Sequence, residues 1–129
     1  MELPVIDDGV LDRQHQYLVK LLGQFDGYRS KLEVAAGAKA LLLYAMEHFF
    51  SEEGLMRAEG YPDVDRHHDL HDDFRTLCEN MVVEGTDLEF SRLVSNISDW
   101  LANHIQVEDL RFSVWRRDRV VSRLATCAY

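Results

Sequence analysis

Ala38-Lys-Ala-Leu41-Leu-Leu-Tyr-Ala45-Met-Glu-His48-Phe-Phe-Ser-Glu52-Glu-Gly-Leu55-Met-Arg-Ala-Glu59 is the stretch on which the fold turns. Ala38, Leu41, Ala45, His48, Glu52, Leu55 and Glu59 recur at steps of three and four, the period of one helix face. A face that is mostly apolar belongs against a core, yet this one carries an imidazole and a carboxylate one turn apart. Three further stripes share the period: Leu11, His15, Leu18, Leu22, Phe25, Arg29, Leu32; Val64, His67, His71, Phe74, Cys78, Met81; and Phe90, Leu93, Ile97, Trp100, His104, Val107, Arg111. The breaks fall at Gly37, at Gly60-Tyr61-Pro62-Asp63 and at Glu84-Gly85-Thr86-Asp87. Gly60 serves as a helix stop, Asp63 as an N-cap, and Thr86 with Glu89 as a capping box. The spacing predicts helices over about 10–33, 38–59, 63–83 and 87–111, with a basic tail over 112–129. Connections this short favour antiparallel neighbours, so the fold class is all-α: an up-down-up-down antiparallel four-helix bundle with a C-terminal helical extension.

Composition agrees. A chain of 129 residues, 47% hydrophobic, with 7 Gly and 2 Pro, is sized for one α-rich domain over 1–129. The net charge of −9 argues against a nucleic-acid partner. No apolar run reaches a membrane span, and the acidic start lacks the basic and apolar regions of a secretory leader. Cys78 and Cys127 form neither a CxxC pair nor a disulfide framework, so a cytoplasmic location is expected.

The unusual count is six histidines. Five of them, His15, His48, His67, His71 and His104, lie on core stripes, at least one on every helix. A buried imidazole or carboxylate costs several kcal/mol, roughly, unless it is paired or bound to metal. A lone core histidine is usually just a satisfied one. Five that converge with Glu52 have the makings of a metal site. With a second carboxylate from Glu108 or Asp109 the donors exceed what one ion takes, and two ions are implied. His68 has no histidine four residues away and is expected at the surface.

These residues resemble the hemerythrin family, in particular the single-domain bacterial hemerythrins. The matching pieces are Asp12-Arg-Gln-His15; His48-Phe-Phe-Ser-Glu52-Glu53 with Met56; Tyr61-Pro62; His67 with His71 and Phe74; and Trp100 with His104, Ile105 and Asp109. They cover roughly residues 10–112. The resemblance implies two iron ions joined by an oxo or hydroxo bridge. One would be held by His67, His71 and His104 and the other by His15 and His48, with Glu52 and Asp109 shared. Two octahedral irons offer about twelve positions, of which these ligands and the bridge fill about eleven. The open one, on the two-histidine iron, is where the family binds dioxygen. Phe49, Leu101 and Ile105 are then expected to line the oxygen pocket, with Phe74 and Trp100 packed beside the irons.

The expected function is reversible dioxygen binding for storage, delivery or sensing, with no catalytic residue. The alternatives are a di-iron oxidoreductase acting on peroxide or nitric oxide, and an oxygen- or redox-sensing interaction module. No Glu-x-x-His of the kind used by carboxylate-rich di-iron proteins occurs in the chain.

Two points leave choices open. On a straight helix Glu108 lies one turn from His104 and Asp109 about 140° away. Spacing alone selects Glu108 and the resemblance selects Asp109; the choice falls on Asp109, brought round by a π-bulge near 106–108, with Glu108 away from the irons. The last twenty residues hold Arg111, Arg116, Arg117, Arg119 and Arg123 against Asp118, a net of +4 that leaves −13 on the rest. With Trp115 they read either as cations at a helix C-terminus or as a docking surface for a second copy or another protein.

Overall fold

A computed structural model describes residues 3–7, 9–84 and 87–127; the side chains of 82–84, 87–91 and 125–127 are outside that description. The expected Thr86–Glu89 box, Phe90 on the fourth stripe and the Cys127 thiol therefore lie outside the described residues. The chain forms α1 (Val10–Gly23), a 3₁₀ turn (Gln24–Gly27), α2 (Lys31–Glu59), α3 (Val64–Glu84), α4 (Asp87–Asn103), a π-helical turn (His104–Asp109) and α5 (Leu110–Cys127). α1 packs on α2, α2 most extensively on α3, and α3 on α4, the order of an all-α bundle in which consecutive helices are neighbours.

The first two helices are divided differently from the expectation of 10–33 and 38–59. α1 ends at Gly23, and α2 starts at Lys31. Ser30 is the cap: its Oγ accepts from the Glu33 N–H at 3.1 Å, and the Glu33 carboxylate accepts from the Arg29 N–H at 3.3 Å. Gly37, expected as a break, is buried inside α2. The Tyr28 ring lies over it, and a Cβ there would fall 2.7 Å from the Tyr28 hydroxyl. The glycine marks a close approach of the preceding segment, not a helix end. Leu32, expected on the first stripe, is exposed on the outer side of α2.

Gly60 stops α2 in the left-handed region at φ 75°. α1 is started by Asp7, whose carboxylate accepts from the N–H groups of Gly9, Leu11 and Asp12 at 2.9–3.1 Å. The Ile6 carbonyl just before it accepts from Ser113 Oγ at 3.0 Å, tying the N-terminal segment to α5.

Two apolar clusters flank a polar middle. The larger contains Leu18, Leu22, Phe25, Leu41, Phe49, Phe74, Cys78, Met81, Ile97, Leu101 and Ile105, drawn from α1 to α4 and the two turns. The smaller contains Met56, Tyr61 and Phe112, with Trp115 packed against it. Trp115, Arg116 and Arg119 of the basic tail make contacts within the chain. The Trp115 ring lies 5.2 Å from Tyr61, Arg116 Nε pairs with Glu59 at 2.7 Å, and Arg119 donates to the Glu59 carbonyl. Cations at a helix C-terminus are what these arginines are, and the helix is α2. Beyond 111, where a C-terminal helical extension is expected, helix continues through Cys127.

Candidate metal centre

Each helix of the bundle delivers donors to the polar middle. α1 contributes His15, α2 contributes His48 and Glu52 one turn apart, α3 contributes His67 and His71 one turn apart, and α4 leads into His104. Asp109 ends the π turn. There the Leu110 N–H reaches back five residues to the Ile105 carbonyl, and the widened turn carries Asp109 round to the face of His104. Through the end of this turn and into α5 the buried positions are Glu108, Asp109 and Phe112, while Val107 and Arg111 of the expected stripe are exposed. None of the seven donor residues is more than 3% exposed.

The donor atoms form two groups, each with its members within 4.8 Å of one another: Glu52, His67, His71, His104, Asp109; and His15, His48, Glu52, Asp109. The carboxylates belong to both because each divides its oxygens between them. Glu52 Oε1 lies 2.6 Å from His67 Nε2 and 3.2 Å from His71 Nε2, whereas Oε2 lies 3.4 Å from His48 Nε2 and 3.7 Å from His15 Nε2. Asp109 Oδ1 lies 2.9 Å from His67 Nε2 and 3.1 Å from His104 Nε2, whereas Oδ2 lies 3.0 Å from His15 Nε2. His71 Nε2 and His104 Nε2 approach each other to 3.0 Å.

Protein groups alone do not satisfy this cluster. His15 Nδ1 and Nε2, Glu52 Oε2 and both Asp109 oxygens are buried without a well-formed hydrogen bond; the 3.0 Å approach of His15 to Asp109 is close but poorly aimed. Each such atom costs about 1–3 kcal/mol. Imidazole nitrogen and carboxylate oxygen are the donors that iron accepts, so the residues fit a cation in each group.

Charge points the same way. Burial pulls the His15 imidazole down, but Asp109 and Glu52 outweigh it and lift it to about 9. His67 behaves alike and also reaches about 9. Burial pushes Glu52 up, and the surrounding imidazoles more than reverse this, holding it well below the usual carboxylate range; Asp109 is lowered as well. In chelated protein, protons would thus take the cations' place. A raised imidazole stabilises the fold below its ordinary 6.5 and loses that contribution as pH climbs through about 9. The lowered carboxylates stabilise above their ordinary 4.5 and 3.8 and lose it in acid. The melting temperature of chelated protein should therefore peak between about pH 5 and 6.5 and decline toward 9. Iron-loaded protein should decline less, because cations replace the protons. Parallel thermal melts across that range check this, and identical profiles would sink it.

Outer contacts orient the rings. His48 Nδ1–H donates to Gln14 Oε1 at 2.8 Å, and His71 Nδ1–H donates to Glu53 Oε2 at 2.7 Å, leaving each Nε2 for the cluster. Phe49 stacks on His71 at 3.7 Å, and Trp100 stacks on His104 at 4.5 Å, both nearly parallel. Leu101 and Ile105, expected in an oxygen pocket with Phe49, are fully buried in the larger apolar cluster. His68 is half exposed, with Nδ1 2.6 Å from Glu53 Oε1. Glu108 turns away from the cluster and takes Arg66 in a two-pronged pair at 2.6 and 2.9 Å. Cys78 is buried, its thiol pushed up by burial to about 12, an inert core residue.

Sequence reasoning missed the roles of Gln14, Glu53 and Arg66. Gln14 and Glu53 stand next to His15 and Glu52 in the chain, and that adjacency was the available signal. Nothing in the sequence pairs Arg66 with Glu108.

The family model described as "Hemerythrin HHE cation binding domain" matches residues 7–113. A bacteriohemerythrin of Ralstonia nicotianae is 25% identical over 117 residues, covering 88% of this chain and 85% of its own. A hemerythrin-like protein of Naegleria gruberi is 29% identical, covering 83% of each chain. A bacteriohemerythrin of Pseudomonas aeruginosa is 33% identical over 106 residues, covering 78% of this chain and 69% of its own. No solved structure matches the chain.

Proposed function

Because the chain belongs to the hemerythrin family and is a non-haem iron-binding domain, we propose that it binds dioxygen reversibly at a di-iron centre, for oxygen storage, delivery or sensing. The observation that carries this reading is the divided carboxylates. Glu52 and Asp109 each offer one oxygen to a three-histidine group and the other to a two-histidine group. A shared pair of carboxylates suits two cations, and the unequal imidazole count leaves the His15–His48 side one donor short.

When bound there, a ferrous pair would supply the electrons that reversible oxygen binding needs. The chain's own residues do the rest. His67, His71 and His104 fill one side. His15 and His48 hold the other, and Gln14 fixes the His48 ring. Phe49, Leu101 and Ile105 are all buried and apolar, and as the pocket lining they would keep water and stray protons from the oxygen site. An oxygen-binding protein, not a catalyst, is the reading this dry and imidazole-rich surround supports.

The test is the visible spectrum of iron-loaded, reduced protein. A charge-transfer band should appear in air and fade when oxygen is withdrawn, and His48→Ala should abolish it. Prompt stoichiometric hydrogen peroxide in solution, with no return to the reduced form, would overturn the carrier role.

A further inference from the structure

The outer face of α2 carries large apolar side chains that the bundle leaves uncovered. Leu32 is 81% exposed, Leu43 62%, Met46 39% and Phe50 82%. Scattered apolar residues on a surface are ordinary, but these are not scattered. Ala36, Lys39, Ala40, Leu43, Met46, Glu47 and Phe50 are all exposed on this helix. At about 100° per residue they and Leu32 fall within roughly 60° of the Leu43 direction. The result is one continuous strip, on the side of the helix opposite the buried His48 and Glu52.

The order of residues along the strip indicates what covers it. Between Leu32 and Leu43 the strip holds small residues and a positive charge, Ala36, Lys39 and Ala40. Bulky residues and a negative charge, Met46, Glu47 and Phe50, occupy its C-terminal half, and Leu43 stands between. Run antiparallel about a two-fold axis beside Leu43, two such strips are complementary in size and sign. Phe50 comes level with Ala36 of the other strip, Met46 with Ala40, and Glu47 with Lys39, each pair occurring twice. Leu32 comes level with Gly54, where added side-chain atoms would meet open space. Such self-complementarity is the mark of an isologous interface.

We propose that the strip from Leu32 to Phe50 on α2 is the interface of an antiparallel homodimer, with a second copy of this chain as its occupant. Leu43 packs on its own copy at the axis. Phe50 is the anchor, seated over the small residues of the opposing helix. The Lys39 and Glu47 flanks set the antiparallel direction by charge. The exposed Val120, Val121 and Leu124 of α5 lie on another helix and take no part.

Sedimentation of the full-length, iron-loaded chain across a concentration series into the millimolar range tests this. A monomer–dimer equilibrium is expected. Leu43→Glu sets two carboxylates against each other at the axis and should weaken the dimer about 30-fold or more, with helicity and iron content unchanged. Lys39→Glu should weaken it roughly tenfold, and adding Glu47→Lys should restore it. A chain that stays monomeric throughout, or a dimer indifferent to Leu43→Glu, would overturn the interface. Failure of the charge exchange to restore association would overturn its antiparallel direction.

Discussion

On the proposed di-iron reading, Asp109→Asn should lower iron from two per chain to one or fewer, whereas Glu108→Gln should leave it unchanged. The two residues are adjacent, and their environments separate them. Asp109 is fully buried, with Oδ1 against His67 and His104 and Oδ2 against His15. Asparagine keeps the shape but substitutes an amide nitrogen for one of these oxygens and removes the negative charge. A residue that must serve both donor groups then serves one. The Glu108 carboxylate faces outward to Arg66, whose side chain is half exposed. The Glu108 side chain is itself only 11% exposed, but glutamine keeps its shape and Arg66 stays open to water, so Glu108→Gln should cost stability without emptying the centre. The π turn makes the difference. In a regular helix Glu108 would share the face of His104 and Asp109 would stand about 140° away. Elemental analysis of both variants after expression in ample iron decides. Iron retained in Asp109→Asn and lost in Glu108→Gln would mean that the helix is regular here and Glu108 is the donor.

The bundle was legible because its cores are written in a 3.6-residue period, and the donors because they interrupt it. His15, His48, Glu52, His67, His71 and His104 each stand where an aliphatic residue belongs, and all are buried together. The ligand past the π turn was not legible from spacing, because an extra residue in one turn shifts every later position; there the resemblance carried the choice. The boundary between α1 and α2 was misread for another reason. Ser30-Lys-Leu-Glu33 is a readable capping box, but Gly37 was weighed as a helix break. A glycine in a helix signals either an end or a close approach, and only Tyr28 lying over Gly37 tells them apart. Trp115 illustrates the same limit. An aromatic among arginines does not name its neighbour, and the packing of Trp115 on Tyr61 is seen only in the fold.

Phe112→Ala should cost about 3–5 kcal/mol, the loss expected when a fully buried aromatic side chain is cut back. Phe112 is 0% exposed and lies 5.0 Å from Tyr61, in a cluster with Met56 one turn beyond Glu52. That cluster closes the end of the polar middle away from the larger core. A chain of this size melts roughly 3–5 °C lower per kcal/mol lost, so a drop of about 10–25 °C is expected. Trp115→Ala, at a half-buried position, should cost less. Val121→Ala and Leu124→Ala, on the exposed part of the same helix, should stay within about 0.5 kcal/mol. Cutting the chain after Arg111 should do at least as much as Phe112→Ala. It uncovers Met56 and Tyr61 and removes Arg116 and Arg119 from the end of α2, where they hold Glu59. The melts belong on chelated protein, since bound metal adds stability that depends on its concentration and masks part of the loss. An undiminished melting temperature in the shortened chain would show that α5 is an appendage and that the bundle closes without it.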